Sequence, residues 1–158
     1  MEAKARAERP SLVASVAART RSGARKASNE DAIGFAGEVS VMASGSVIEL
    51  EANVDGGIMC LVADGAGGHP GGDQASQIVV EHILAQAERL RSAEELGRAI
   101  SSAHHELCRV MATNQHWHGM GATVAAVSLR TCLTSVVGGV GRGVLEWPGY
   151  VNHGAVPV

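Results

Sequence analysis

A short apolar run, residues 58–63 (IMCLVA), is followed at once by Asp64 and a glycine-rich loop that extends to residue 72. Turn-forming residues 54–57 (VDGG) precede the run, so it is bounded on both sides in the way that is typical of a buried strand. After residue 72 the apolar residues recur at helical spacing. The sequence therefore predicts a central strand that ends in a carboxylate and leads through a glycine loop into a helix.

The remaining pattern places strands on either side of a helical region. Val79, Ile83 and Leu90 follow the first helical period, and Ser92 with Glu95 forms a capping box that begins a second helix. Further strands are predicted over residues 11–18, 31–36, 47–53 and 122–129. Several strands, two helices and another strand favour an α+β fold, with antiparallel sheets covered by helices, over a doubly wound parallel sheet.

Length and composition predict one globular domain with distinct ends. The 158 residues allow one core, and 46% hydrophobic with 18% charged residues exclude a disordered chain. Residues 1–10 are predicted to be a frayed lead-in or a short helix, and residues 11–130 to be the domain. Residues 131–158 form an atypical tail, in which the charged residues are only Arg142 and Glu146 and no period is visible after Val137.

Net charge and cysteine content indicate which classes of partner and which cellular compartment to expect. A net charge of −3 without a basic stripe argues against nucleic acid or an anionic membrane as the main partner. No segment approaches the roughly 20 apolar residues that a membrane span needs. Three cysteines without a CxxC pair indicate neither a disulfide framework nor a zinc site. A reducing, cytoplasmic setting is the expectation.

Two groups of residues are candidates for metal chemistry. Asp64 ends a predicted strand, where the sheet would hold its carboxylate rigidly, and Gly65 would let the backbone approach a ligand closely. Glu30 and Asp31 enter another strand, on which successive side chains point to opposite faces. Carboxylate and carbonyl oxygens suit a hard divalent ion. The structural alternative is that an aspartate after such a strand only caps the next helix.

Other site classes fail on spacing. A phosphate-binding P-loop requires a Gly-Lys pair, which the chain lacks, and a dinucleotide fingerprint from Gly65 would need glycine where Pro70 stands. A zinc-protease motif is absent as well, because no histidine stands three residues after Glu106.

Three blocks in sequence order carry a family resemblance. Residues 23–33 (GARKASNEDAI), 61–76 (LVADGAGGHPGGDQAS) and 119–129 (GMGATVAAVSL) are similar to successive signature blocks of the metal-dependent protein phosphatases, the PPM or type 2C-like family, in its bacterial form. The resemblance covers the chain from about residue 13 to about residue 129. It implies an α-β-β-α sandwich with two Mn²⁺ or Mg²⁺ ions at one sheet edge. It also implies hydrolysis of phosphoserine and phosphothreonine by a metal-activated water.

The resemblance assigns roles residue by residue. Asp64 matches the carboxylate that bridges the two metals, and Gly65 matches the residue whose carbonyl ligates one of them. Glu30 and Asp31 match the acidic pair that holds the second metal directly or through water. Lys26 stands where the family usually has a phosphate-binding arginine, with Arg25 beside it, and lysine lacks the bidentate fork. The implied catalytic residues are Asp64 and Lys26, and the implied phosphate-binding residues are Lys26 and Arg25.

The later family blocks have no counterpart in the tail. Residues 131–158 contain no Gly-Asp pair, and their one carboxylate is Glu146. We therefore expect a truncated sandwich whose C-terminal part is missing, with at most a partial metal site, and with a tail that is unrelated to the family or out of frame. A non-catalytic module that binds a phosphoprotein or a kinase is the alternative function. The implied partner is a phosphorylated protein, a Ser/Thr kinase or a kinase substrate. A chain without a stable fold is the third hypothesis, because half a sandwich exposes sheet edges.

Overall fold

The computed structural model describes residues 13–24, 28–36, 47–66, 70–130, 133–141 and 150–153. For residue 36 and for residues 133–141 and 150–153 it describes the backbone alone. The predicted lead-in, residues 1–10, lies outside the described residues.

The described strands form two antiparallel sheets, and two helices lie between strands four and five in the chain. The bounds are β1 Val13–Arg19, β2 Asp31–Ala36, β3 Val47–Asn53, β4 Ile58–Gly65, α1 Gly72–Leu84, α2 Ala93–Thr113, β5 Ala122–Arg130, β6 Leu133–Gly141 and β7 Tyr150–His153. One sheet has the strand order β2-β4-β5-β6-β7, and the other pairs β1 with β3. This confirms the predicted α+β class with antiparallel sheets.

Strand β4 lies between β2 and β5 in the larger sheet, and most of its residues are apolar. Met59, Leu61 and Ala63 are buried on the face that packs against the helices. On the opposite face Val62 keeps 49% of its surface exposed, and Asp64 is exposed as well. The predicted central strand is thus present, and it extends two residues further than the apolar run, to Gly65.

Both helices cover one face of the larger sheet. Ile83 in α1 and Leu96 in α2 are fully buried in the core that this layer shares with β4 and β5. The predicted helical spacing continues to Leu90, whereas α1 ends at Leu84 and a 3-10 turn, Ala87–Arg89, follows it. Leu90 is still buried, so the apolar spacing marked burial correctly but did not mark the end of the α-helix.

The β1–β3 pair covers part of the other face of the larger sheet. Ile33 and Phe35 of β2 are buried beneath it, and Val16, Ile48 and Leu50 pack there partly buried. The described residues thus supply a helix layer, a five-stranded sheet and a two-stranded sheet, which agrees with a partial α-β-β-α sandwich. Cys60 lies in this second cluster, where burial raises the pKa of its thiol, as expected for a packed and unreactive cysteine.

The sheet continues into the tail. Strand β6 pairs antiparallel with β5 from Ala122 opposite Gly141 to Arg130 opposite Leu133, and β7 pairs with β6. The sequence pattern shows no strand period after Val137, and the structure nevertheless has strands on both sides of residues 142–149. Glycines in this segment hide the alternation of apolar and polar residues on which strand prediction depends. An out-of-frame tail stays a prediction.

The outward face of α2 is polar. Arg98 pairs with Glu94 at 3.0 Å and Arg109 with Glu106, where both partners are partly or largely exposed and add little to stability. Among the described residues, no helix is both long enough and apolar enough to cross a membrane.

Ser92 caps α2 as the sequence predicts. Its Oγ accepts the backbone N–H of Glu95 at 3.1 Å, and the Glu95 carboxylate accepts the N–H of Arg91 at 2.7 Å. This bond from Arg91 lowers the pKa of Glu95. We expect Ser92→Ala to reduce the free energy of unfolding by about 1 kcal/mol.

Thermal unfolding with a matched serine variant tests this prediction. Ser101 lies in the exposed interior of α2, where its hydroxyl donates to the Gly97 carbonyl at 3.1 Å. Because alanine is the better helix former there, Ser101→Ala should leave stability unchanged or slightly higher. Equal losses in the two variants would contradict a capping role for Ser92.

Candidate metal centre

Two carboxylates face each other across β2 and β4. Asp31 is the direct cross-strand partner of Asp64, at the end of the antiparallel register. Directly opposed side chains lie on the same face of a sheet, with Cβ atoms roughly 4.5–5.5 Å apart. Two carboxylates at this separation can share a divalent ion, so their placement suits one.

Glu30 approaches the same sheet end from the helix side. Its carbonyl accepts the N–H of Gly65 at 3.0 Å, which ties the start of β2 to the end of β4. Its side chain reaches the first residue of α1, because a Cβ added at Gly72 would lie 3.3 Å from the Glu30 Cδ. A carboxylate at the start of a helix is favoured by the helix dipole. Glu30 and Asp31 thus reach the site from opposite faces of the strand.

Gly65 lies where two elements and the residue before β2 meet with no space for a side chain. A Cβ there would overlap the Gly72 carbonyl oxygen, and it would lie 2.5 Å from the Gly72 carbonyl carbon and 2.7 Å from the Glu30 oxygen. Glycine at this position is therefore required by packing. Its predicted role as a carbonyl ligand of a metal stays a prediction.

An open cleft of about 500 Å³ lies in front of these residues. It is lined by residues 21–24 and 28–31 and by Asp64. Three acidic residues, Glu30, Asp31 and Asp64, belong to this lining and give it an anionic side. The segment that leads into β2 forms the rest of the described lining.

A side-chain hydrogen bond closes the loop that borders the cleft. The Asn29 side-chain amide donates to the Thr20 hydroxyl at 2.8 Å and to the Asp31 carbonyl at 3.3 Å. Thr20 is buried and Asn29 is half-buried, so the bond is partly shielded from water. The residue after β1 is thus held beside the residue before β2. The sequence analysis did not identify Thr20, since no local pattern shows a contact across the loop.

The oxygen donors at this site are of the type that binds a divalent ion, but the described residues supply few of them. Asp31 and Asp64, with the Gly65 carbonyl and Glu30, are hard oxygen donors of the type that Mg²⁺ and Mn²⁺ bind. Within the described residues, however, no group of three or more histidine, cysteine, aspartate or glutamate side chains is close enough to hold a metal. The described donors therefore fit one weakly held ion better than a complete binuclear centre.

The predicted phosphate-binding residues, Arg25 and Lys26, lie outside the described residues. The structure brings Asp31 opposite Asp64 and brings the backbones of Glu30 and Gly65 into contact. It also places Arg21, which the sequence analysis did not single out, in the lining of the cleft. The roles of Asp64 and Lys26 in catalysis stay predictions.

A family model and several solved structures are similar to this chain. The model described as protein phosphatase 2C matches residues 49–146, which is more than half of the chain. No curated protein matches the chain significantly in sequence.

The similar solved structures are bacterial phosphatases. The serine/threonine phosphatase PstP/Ppp of Mycobacterium tuberculosis has 22% identity and a TM-score of 0.57, over 80% of this chain and 46% of that one. Stp1 of Staphylococcus aureus has 17% identity and a TM-score of 0.58, over 88% and 50%. The catalytic domain of PstP in complex with two manganese ions has 21% identity and a TM-score of 0.58, over 82% and 49%. The chain thus spans about half the length of these structures, and the likeness at these identities concerns the fold.

Proposed function

Since the chain belongs to the protein phosphatase 2C family, we propose that it acts on phosphoserine and phosphothreonine in proteins by metal-dependent hydrolysis. The observation that carries this proposal is the pair Asp31 and Asp64, directly opposed at the wall of an open cleft. Structural likeness to a PstP catalytic domain with two manganese ions supports the choice of metal. The substrate would be a phosphorylated protein, and the site of action the cytoplasm.

Different residues of the chain would bind the metal and the phosphoryl group at this cleft. Asp31, Asp64, Glu30 and the Gly65 carbonyl would hold Mn²⁺ or Mg²⁺, at most as a partial site within the described residues. When bound, such ions neutralise phosphoryl charge and lower the pKa of a water molecule. Lys26 is proposed to attract the phosphoryl group as a point charge. The open cleft would admit a side chain on a protein surface.

The scarcity of described ligands favours a second candidate function. Because the described residues offer no cluster of three or more metal-binding side chains, a non-catalytic module that binds a phosphoprotein or a Ser/Thr kinase is the alternative. Such a module would bind a phosphopeptide without turnover. The open cleft would receive the phosphorylated side chain.

Hydrolysis of an aryl phosphate with added Mn²⁺ separates the two candidates. The proposed function predicts turnover that is lost when a chelator removes the metal and that is absent in the double variant Asp31→Asn, Asp64→Asn. Binding of a phosphothreonine peptide without any Mn²⁺-dependent turnover would support the binding module and contradict the proposed hydrolase.

A further inference from the structure

Arg21 is an exposed cation in the lining of the cleft. It follows β1 closely and lies in the same lining as Glu30, Asp31 and Asp64. Among the described residues that line the cleft, it is the one cation. Arg21 forms no hydrogen bond or ion pair with another residue in the described part of the chain, so no such contact holds its guanidinium elsewhere. A cation that is uncommitted beside an anionic wall is available to a ligand.

An arginine guanidinium can make the bidentate contact that Lys26, at the family's phosphate-binding position, cannot make. Two parallel N–H groups of arginine match two oxygens of a phosphoryl group, whereas the ammonium group of a lysine is a single point charge. Lys26 stands at the motif position, so any bidentate contact must come from another residue. Arg21 is in the cleft and has the required donors.

The Thr20–Asn29 hydrogen bond holds the residue that immediately precedes Arg21. Thr20 is buried and immediately precedes Arg21, and Asn29 immediately precedes Glu30. The bond therefore holds the start of the arginine's loop against the entry of β2. An arginine whose backbone is held in this way loses less conformational entropy when its side chain binds a ligand.

From these observations we infer that Arg21 is the residue that binds the phosphoryl group of the substrate by a bidentate contact, and that Thr20 and Asn29 are its positioning residues. The inference rests on the proposed function and adds a residue that the family motif does not assign. It concerns a phosphate monoester or inorganic phosphate that enters the cleft between Arg21 and the opposed carboxylates.

Calorimetric titration with inorganic phosphate in the presence of Mg²⁺ tests the assignment. Arg21→Ala should weaken phosphate binding roughly 10- to 100-fold, which is the range for a lost hydrogen bond to a charged group. Arg21→Lys should stay weaker than the wild type, because it restores the charge without the fork. The matched control is Arg91→Ala, which removes an exposed arginine outside the cleft and should change nothing. Mg²⁺ affinity should be the same in all four proteins.

The positioning role has its own readout. Thr20→Val keeps the shape of the side chain but removes the acceptor of the Asn29 bond, and it should weaken phosphate binding while Mg²⁺ binding is unchanged. Thr20→Ser keeps the hydroxyl and should restore the phosphate affinity. Failure of the serine variant to restore it would overturn the positioning role.

The outcomes separate the inference from the proposed function. Equal phosphate affinity in wild type and Arg21→Ala overturns the assignment of Arg21 alone, above all if Lys26→Ala loses binding instead. A wild-type chain that binds Mg²⁺ but neither binds phosphate nor hydrolyses an aryl phosphate overturns both. In an active chain, Arg21→Ala should raise KM for the aryl phosphate more than it lowers kcat, because the contact is made before the reaction as well as during it.

Discussion

Gly65→Ala should destabilise the protein more than any other single methyl addition at the candidate site. The new Cβ would meet backbone atoms of Gly72 and Glu30, which cannot rotate away as a flexible side chain can. We expect a loss of about 3 kcal/mol in the free energy of unfolding, at the upper end of the usual cost of overpacking. For a chain of this size that is roughly 6–12 °C in melting temperature.

Gly56→Ala is the matched control for this prediction. A Cβ at Gly56 meets nothing within 4 Å, and its backbone is not in the left-handed region. Its melting temperature should stay within about 2 °C of the wild type, as for most surface substitutions. If Gly65→Ala also unfolded at the wild-type temperature, the close contact between the end of β4 and the start of α1 would be wrong.

Asp64→Asn should abolish most binding of divalent metal. The substitution removes one of the two opposed carboxylates and leaves the size of the side chain almost unchanged. Loss of a partner outside the ligand shell already weakens metal binding 10- to 100-fold, so loss of a charged ligand should weaken Mn²⁺ binding by roughly 100-fold or more. Mn²⁺ should bind wild type more tightly than Mg²⁺ does.

Thermal unfolding distinguishes lost binding from lost folding in this variant. Without metal, Asp64→Asn should be about as stable as wild type, because Asp64 is exposed and the substitution keeps the size of the side chain. Added Mn²⁺ should raise the melting temperature of wild type and not of the variant. Glu88→Gln makes the same chemical change at an exposed residue outside the lining of the cleft and should behave as wild type. A variant that is unstable without metal would contradict a role for Asp64 that is limited to metal binding.

Strand bounds and helix caps were predictable because interactions between residues close in the sequence determine them. Strands β2 and β3 have the predicted bounds, 31–36 and 47–53, since turn residues bracket short β-prone runs. Ser92 begins α2 because its hydroxyl replaces a missing helix partner within three residues. In both cases the information lies within a few residues of the element.

Features that depend on strand pairing were not predictable from the sequence. The sequence alone suggests that Asp64 and Asp31 contribute to one site, but the opposed position of their carboxylates depends on the register of β2 against β4. The end of α1 at Leu84 is similar, because burial of Leu90 continues the apolar spacing after the α-helix has ended. Spacing reports which residues are buried, and it does not report backbone hydrogen bonding.

The candidate site combines both kinds of information. The sequence marks Gly65 as a candidate because it follows a predicted strand and a carboxylate. Its packing against Gly72 is seen only in the three-dimensional structure. Arg21 carries no sequence signal, because it joins Asp31 and Asp64 in the lining of the cleft from the other end of a loop that the Thr20–Asn29 bond spans. Side chains brought together by a contact of this kind have no fixed spacing that a motif could record.

The position of bound Mn²⁺ tests the central claim most directly. In crystals of the chain soaked with Mn²⁺, the anomalous difference map should show a peak within about 2.5 Å of a carboxylate oxygen of both Asp31 and Asp64, at the wall of the cleft. The same soak of Asp64→Asn crystals should show no peak there. A strong Mn²⁺ peak at another place on the chain, with none between the two aspartates, would contradict the assignment of this sheet edge as the metal centre.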